Sequence, residues 1–150
     1  MITGMSGTGK SSVLAELARR GHRTVDTDED GWSLWHEPDA GWQWREDRMA
    51  ALLAEPSEHP LFVSGCHGNQ GRFYDRFEAV VLLSAPAEVL LERLRTRTTN
   101  PYGKTPEQQA EVLGYLETVE PLLRRSATLE LDSSQLDIAA LADRLEALIR

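Results

Sequence analysis

The chain has 150 residues, 41% hydrophobic and 27% charged, which fits one globular domain with its own core and excludes wholesale disorder. Sixteen basic against 24 acidic side chains leave a net charge of −8, so the average field repels nucleic acid and anionic membrane surfaces, and any polyanion must bind locally. No apolar run reaches the length of a bilayer span, no signal-peptide core follows Met1, and the lone Cys66 has no partner for an internal disulfide. A cytoplasmic protein with neither membrane nor nucleic-acid partners is expected.

Short β-rich runs alternate with stretches of helical spacing, the pattern of an α/β fold on a parallel sheet. The first strand is read at Met1–Thr3; it is short for a central strand, so further residues upstream are expected. A helix over Lys10–Arg20, stopped by Gly21, leads to a strand at Arg23–Asp26. A helix over Trp44–Ala54 and strands at Pro60–Ser64 and Ala79–Ser84 follow. Helices over Ala87–Arg97 and Glu107–Arg125, a strand at Thr128–Asp132 and a helix over Leu136–Ile149 complete the chain. Gly41, Gly65, Gly68 and Gly71 punctuate loops, and no repeat or linker is visible, so residues 1–150 read as a single domain.

Residues 4–11, Gly-Met-Ser-Gly-Thr-Gly-Lys-Ser, satisfy G-x-x-x-x-G-K-[ST] between a strand and a helix. Gly4, Gly7 and Gly9 let the backbone of Ser6 and Thr8 wrap closely, so that N–H groups point at phosphate oxygens beside the positive end of the helix. Lys10 is placed to reach the β- and γ-phosphates, and Ser11 offers a hydroxyl to Mg²⁺. ATP and Mg²⁺ are therefore the expected cofactors.

After the second strand come Asp26, Asp28, Glu29 and Asp30. Strand alternation followed by a turn can bring Asp26 and Asp28 to the crevice at the carboxyl ends of the strands. There Asp26 would hold the metal through water, and Asp28 would orient or deprotonate an attacking hydroxyl. The competing reading is an acidic helix N-terminus, which accounts for Glu29 and Asp30.

Lys10 and Lys104 are the only lysines, and the second lies in a segment from Arg93 to Pro106 that carries Arg93, Arg95, Arg97 and Lys104 with no carboxylate. In an acidic protein this reads as a mobile lid around 95–106 whose cations close over phosphates. Arg93 is assigned instead to the helix dipole. Trp32, Trp35, Trp42 and Trp44 fall where a second substrate is received and fit either an aromatic acceptor pocket or a short helical excursion packed on the core. His67, in Ser-Gly-Cys-His-Gly, is a candidate acceptor contact, Cys66 is read as packing, and His22, His36 and His59 as surface groups.

These residues resemble the small P-loop metabolite kinases, the shikimate kinase and gluconate kinase group, over nearly the whole chain. Met1 to Ser12 is similar to their phosphate-loop opening, and Val25-Asp26-Thr27-Asp28 resembles the shikimate kinase Asp-x-Asp segment. The resemblance implies a three-layer P-loop NTPase fold, α/β, with a five-stranded parallel sheet ordered 2-3-1-4-5. It also implies an adenine-side arginine at Arg97, a lid cation at Lys104 and an adenine-pocket contact at Ser133. The family's acceptor-binding arginine falls at Arg45, and its glycine triplet appears here as Gly65-Cys66-His67-Gly68. A second acceptor-binding arginine of the family is replaced by Val119 beside Glu120, so an acceptor other than shikimate is expected. The implied activity is transfer of the ATP γ-phosphoryl to a hydroxyl of a small metabolite or antibiotic-like molecule, with a nucleoside or nucleotide kinase and a slowly hydrolysing nucleotide switch as the alternatives. A monomer is expected, with a homodimer as the alternative.

Overall fold

The computed structural model describes residues 1–149. Its elements follow one another as β1 (Ile2–Thr3), α1 (Lys10–Arg19), β2 (Arg23–Asp26), β3 (Ser33–His36), β4 (Gly41–Trp44), α2 (Glu46–Ala54) and β5 (Leu61–Ser64), then β6 (Val81–Ser84), α3 (Ala87–Thr96), α4 (Pro106–Thr118), α5 (Glu120–Ser126), β7 (Leu129–Asp132) and α6 (Ile138–Ala147). Five strands form one parallel sheet in the order β2-β5-β1-β6-β7. With the β3–β4 hairpin set aside, this is the 2-3-1-4-5 order implied above.

Apolar spacing decides which faces are covered. Val13, Leu14 and Leu17 on α1 and Leu141, Ala142 and Leu145 on α6 pack with Ile2, Val81, Leu83 and Leu131 against one side of the sheet. On the other side Met49 and Leu52 of α2 pack with Val63, Phe73 and Trp44, while Leu123 of α5 packs with Met5 and Leu82. β1 is only two residues long, yet Ile2 pairs with both Ser64 and Val81, which makes it the middle of the sheet and aims Gly4 onward at the carboxyl ends of the strands.

Three local readings are corrected. The segment before α2 is an antiparallel hairpin, with Trp35 opposite Trp42, and α2 begins at Glu46, not Trp44. The hairpin turns through a 3₁₀ stretch at Glu37–Asp39 and Ala40 at φ 45°. Its signal was present: the Glu-Pro-Asp-Ala-Gly turn, followed by Trp42 and Trp44 in strand alternation. The expected helix over Glu107–Arg125 is two helices, because Pro121 has no N–H to continue the ladder and starts a new turn after Val119. A 3₁₀ stretch, Gln70–Arg76, occupies a region read as loop. Of the four tryptophans, Trp44 is core at 2% exposure, Trp32 lies under the Arg48 guanidinium at 3.9 Å, and Trp35 and Trp42 are exposed. No helix of the described residues is long and apolar enough to cross a membrane.

Candidate active site

The turn from β1 into α1 wraps an open cleft of about 590 Å³, lined by Ser6 to Ser12 together with Asp28, Arg93, Arg97 and Ser133. Gly4 has φ 150°, and a Cβ there would lie 2.4 Å from the Leu83 carbonyl oxygen, so the loop can leave the sheet this closely only with glycine. Thr8 is fully buried and donates from Oγ1 to Met5 O at 2.8 Å, which locks the loop from inside. Lys10 folds back over the loop and donates from Nζ to Gly4 O (2.7 Å) and Met5 O (3.0 Å), leaving one of its three N–H groups for a ligand. Burial pushes the Lys10 ammonium below the usual lysine range; Cys66, Asp28 and Asp26 oppose that shift and Arg97 adds to it. A desolvated cation among carbonyl dipoles, with a second cation nearby, suits a polyanion. Gly9 offers no side chain to cap α1, whereas Thr105 caps α4 and Asp137 caps α6, so the first-turn N–H groups of α1 remain for phosphate oxygens.

The end of β2 supplies the carboxylates. Asp26 is opposite Ser64 in the sheet, and its Oδ2 accepts from Ser11 Oγ at 3.0 Å. A hydroxyl and a carboxylate at this spacing fit a Mg²⁺ ion that takes its other ligands from phosphates and water. Asp26 Oδ1 accepts from the Asp28 N–H (3.0 Å), an Asx turn that carries the exposed Asp28 side chain to the cleft edge. Between them Thr27 is fully buried and donates to Ser64 O at 2.7 Å. A Cβ on Gly65 would lie 2.0 Å from Thr27 Oγ1, so Gly65 makes room for this threonine.

His67 joins this cluster from the segment after β5. Its side chain is only 3% exposed, its N–H donates to Gln70 Oε1 at 2.8 Å, and its ring lies 5.9 Å from that of Trp44. His67 Nδ1 lies 3.5 Å from Thr27 Oγ1, whose own hydrogen is used on Ser64 O, and His67 Nε2 faces Asp28 Oδ1 at 3.8 Å. Burial pushes the imidazole toward its neutral form, against the pull of Asp28. Cys66 is half-buried between this segment and the phosphate loop, and burial pushes its thiol above the usual range. Arg45 is exposed at the N-terminus of α2, donates its backbone N–H to Trp32 O (2.8 Å) and does not line the cleft.

The cations of the α3 end separate into different roles. Arg93, assigned above to the helix dipole, donates from Nη1 to Gly7 O (3.1 Å) and Ser133 Oγ (2.8 Å) and from Nη2 to Ser133 O (2.8 Å). It ties the phosphate loop to the turn after β7. The signal was its position four residues before Arg97, one turn back in the expected helix over Ala87–Arg97. Arg97 is half-buried, lines the cleft, and donates to Asn100 O (3.2 Å) and Tyr102 O (2.8 Å). Lys104, expected over the phosphates, turns away from the cleft: its Nζ donates to Leu94 O (3.3 Å), Arg95 O (2.9 Å) and Arg97 O (2.6 Å). The expected free flap is a loop bonded to both flanking helices.

The comparisons bear on the family and the fold. The model of a family described as an AAA domain matches residues 1–114. An Archaeoglobus fulgidus protein named "Putative adenylate kinase" is 29% identical over 152 residues, covering 99% of this chain and 80% of its own length. A shikimate kinase from Acinetobacter baumannii, solved in complex with shikimate, superposes with a TM-score of 0.66 at 20% identity, covering 99% of this chain and 90% of the other. A gluconokinase from Sinorhizobium meliloti 1021 gives 0.60 at 20% identity, covering 98% and 88%. At that identity the solved structures speak for the fold, and the family match speaks for descent: the chain belongs to the AAA-domain family of P-loop proteins and carries the fold of the small P-loop kinases.

Proposed function

We propose that the protein is an ATP- and Mg²⁺-dependent phosphotransferase that moves the γ-phosphoryl group to a hydroxyl of a small metabolite or antibiotic-like acceptor. The observation that carries this reading is the pair at the end of β2: Asp26 engages Ser11, while Asp28, two residues on, presents a free carboxylate to the same cleft. A nucleotide switch needs the first of these and has no use for the second.

Bound ATP–Mg²⁺ supplies the phosphoryl group and offsets its charge. Lys10 and the N–H groups of residues 6–12 would hold the phosphates, and Ser11 and Asp26 would hold the Mg²⁺ ion, Asp26 through water. Arg93 fixes Gly7 against Ser133, which keeps the loop in one arrangement beside the base pocket. Arg97 adds charge from the lid. Asp28 orients the acceptor hydroxyl and takes its proton, a role worth about 10²–10⁴ in rate. His67 Nε2, beside Asp28, makes a polar contact to a second group of the acceptor. Within this reading Gly65 acts through space for Thr27, and Arg45 lies at the rim.

The test is acceptor-stimulated ADP release over a panel of sugars, polyols, shikimate-like acids, aminoglycosides, nucleosides and AMP. Stimulation by any hydroxylated compound with phosphorylated product supports the reading, and slow ADP release that no compound stimulates overturns it in favour of a switch. A nucleoside or nucleotide kinase is the second reading, favoured by the Archaeoglobus relative that spans nearly all of the chain. Stimulation confined to nucleosides or AMP selects it.

A further inference from the structure

Lys104 has the contacts of a helix cap. The three carbonyls it binds, those of Leu94, Arg95 and Arg97, lie in and just beyond the last turn of α3, where no further helical N–H follows to satisfy them. An ammonium has three N–H groups, so this arrangement uses all of them and leaves none for a phosphate.

The loop it closes is built around Arg97. The Arg97 backbone carbonyl is the closest of the three contacts, at 2.6 Å, and the guanidinium of the same residue is held by Asn100 O and Tyr102 O further along the loop. Gly103 is buried at φ 95°, and a Cβ there would lie 2.9 Å from Leu94 Cβ, so the loop sits directly on α3. From the other side Gly103 N–H donates to Gln108 Oε1 (2.8 Å) and Tyr102 OH to Glu111 Oε1 (2.5 Å), both on α4. Arg97 is thereby gripped at its backbone and its side chain while it faces the cleft that holds the phosphate loop.

We propose that Lys104 is a positioning residue for Arg97: it strengthens nucleotide binding without touching the nucleotide, by pinning the 97–104 loop to the end of α3 so that the Arg97 guanidinium is preset at the phosphate cleft. The inference rests on the nucleotide-binding part of the proposed function and reverses the role expected from Lys104 as a lid cation. Presetting matters because an arginine held in place before binding loses less conformational entropy when it meets its anion.

The experiment is a double-substitution cycle read by calorimetric titration with MgATP, on the unsubstituted chain, Lys104→Met, Arg97→Met and the double variant. Arg97→Met weakens binding about tenfold, and Lys104→Met weakens it about three- to tenfold in the presence of Arg97 and negligibly in its absence. Amide hydrogen exchange of the nucleotide-free Lys104→Met protein rises over residues 97–104 and is unchanged in the central sheet, which separates loosening from misfolding. Equal losses from Lys104→Met in both backgrounds identify a direct phosphate contact and overturn the inference, as does unchanged affinity in the Arg97 background. If the unsubstituted chain fails to bind MgATP, the functional reading falls as well; additive losses on a chain that binds MgATP overturn this inference alone.

Discussion

Residues 4–11 build the phosphate loop from consecutive positions, whereas the proposed acceptor side takes Asp28 from just beyond β2 and His67 from the segment after β5, with buried Trp44 of the hairpin packed behind His67. The first region is locked by contacts of short sequence separation, such as Lys10 Nζ to Gly4 O and Thr8 Oγ1 to Met5 O. The second is held by contacts between separate segments: Thr27 Oγ1 to Ser64 O and the Trp44 backbone N–H to Asn69 Oδ1, with His67 beside Asp28. A mostly locally encoded loop depends on few positions elsewhere, Arg93 and Leu83 among them. An assembled wall changes with every element that contributes to it, and the proposed acceptor specificity lies on that wall.

The comparison can be broken most directly at Lys10. Lys10→Ala should lose about 10²–10³ in turnover and weaken ATP binding while far-UV circular dichroism and the urea midpoint stay near those of the parent, since the side chain bonds only its own loop. Unchanged ATP affinity by calorimetry would remove Lys10 from the site. On the acceptor side, Asp28→Asn should cost about 10²–10⁴ in acceptor-stimulated ADP release with MgATP affinity retained, while Asp26→Asn raises the Mg²⁺ concentration needed for half-maximal rate. If Asp28→Asn keeps most of the activity, the acidic cluster is a turn feature and positioning falls to other groups.

Arg93 joins the two ends of the nucleotide side, and Arg93→Met should weaken ATP binding about tenfold or more by freeing Gly7 from Ser133. An effect confined to stability would make that bridge purely architectural. Gly65→Ala drives a Cβ into Thr27 Oγ1 and should destabilise the chain by about 1–3 kcal/mol, with acceptor-dependent parameters shifting more than ATP affinity. An equal loss on both sides would show the two regions to be one unit.

The smallest effect lies away from both regions and serves as their control. Glu16 is held down at about 2, from an ordinary value of 4.5, first by the Arg19 hydrogen bonds and then by Arg20. A carboxyl with a lowered folded value contributes stability that is fully present above about pH 4.5 and is lost as the pH falls toward about 2. Glu16→Gln should therefore lower the urea midpoint slightly at pH 6 and hardly at all near pH 2.5, without moving ATP affinity; the gain is small because these ion pairs lie at the surface.

Much of the fold was legible in advance because its elements are short, strongly patterned and separated by glycine or proline. Helix α1 with its stop at Gly21 and the strand at Arg23–Asp26 match the reading, and the sheet order matches what the family resemblance implies. The hairpin was missed because four tryptophans in a loop region suggest packing in any conformation, and the α4–α5 break because a periodic apolar pattern outweighed Pro121. At the site, the phosphate loop was readable to the residue, since a backbone cradle requires glycines at fixed spacing. Spacing places Arg93 at the helix end and Lys104 in the lid, but not their bonds to Gly7 and Ser133 or to the α3 carbonyls: a cation's partner depends on where its long side chain is carried.

By itself the sequence determined the α/β class, the phosphate loop and the carboxylate pair, because each rests on interactions between residues a few positions apart: hydrogen bonds along a helix, alternation along a strand, N–H groups around a turn. Only the tertiary structure decided that Thr27 fills the space left by Gly65, that His67 sets its Nε2 beside Asp28, that Arg93 bridges Gly7 and Ser133, and that Lys104 caps α3. Those outcomes depend on close packing between segments distant in the chain, where a shift of an ångström exchanges one hydrogen-bond partner for another.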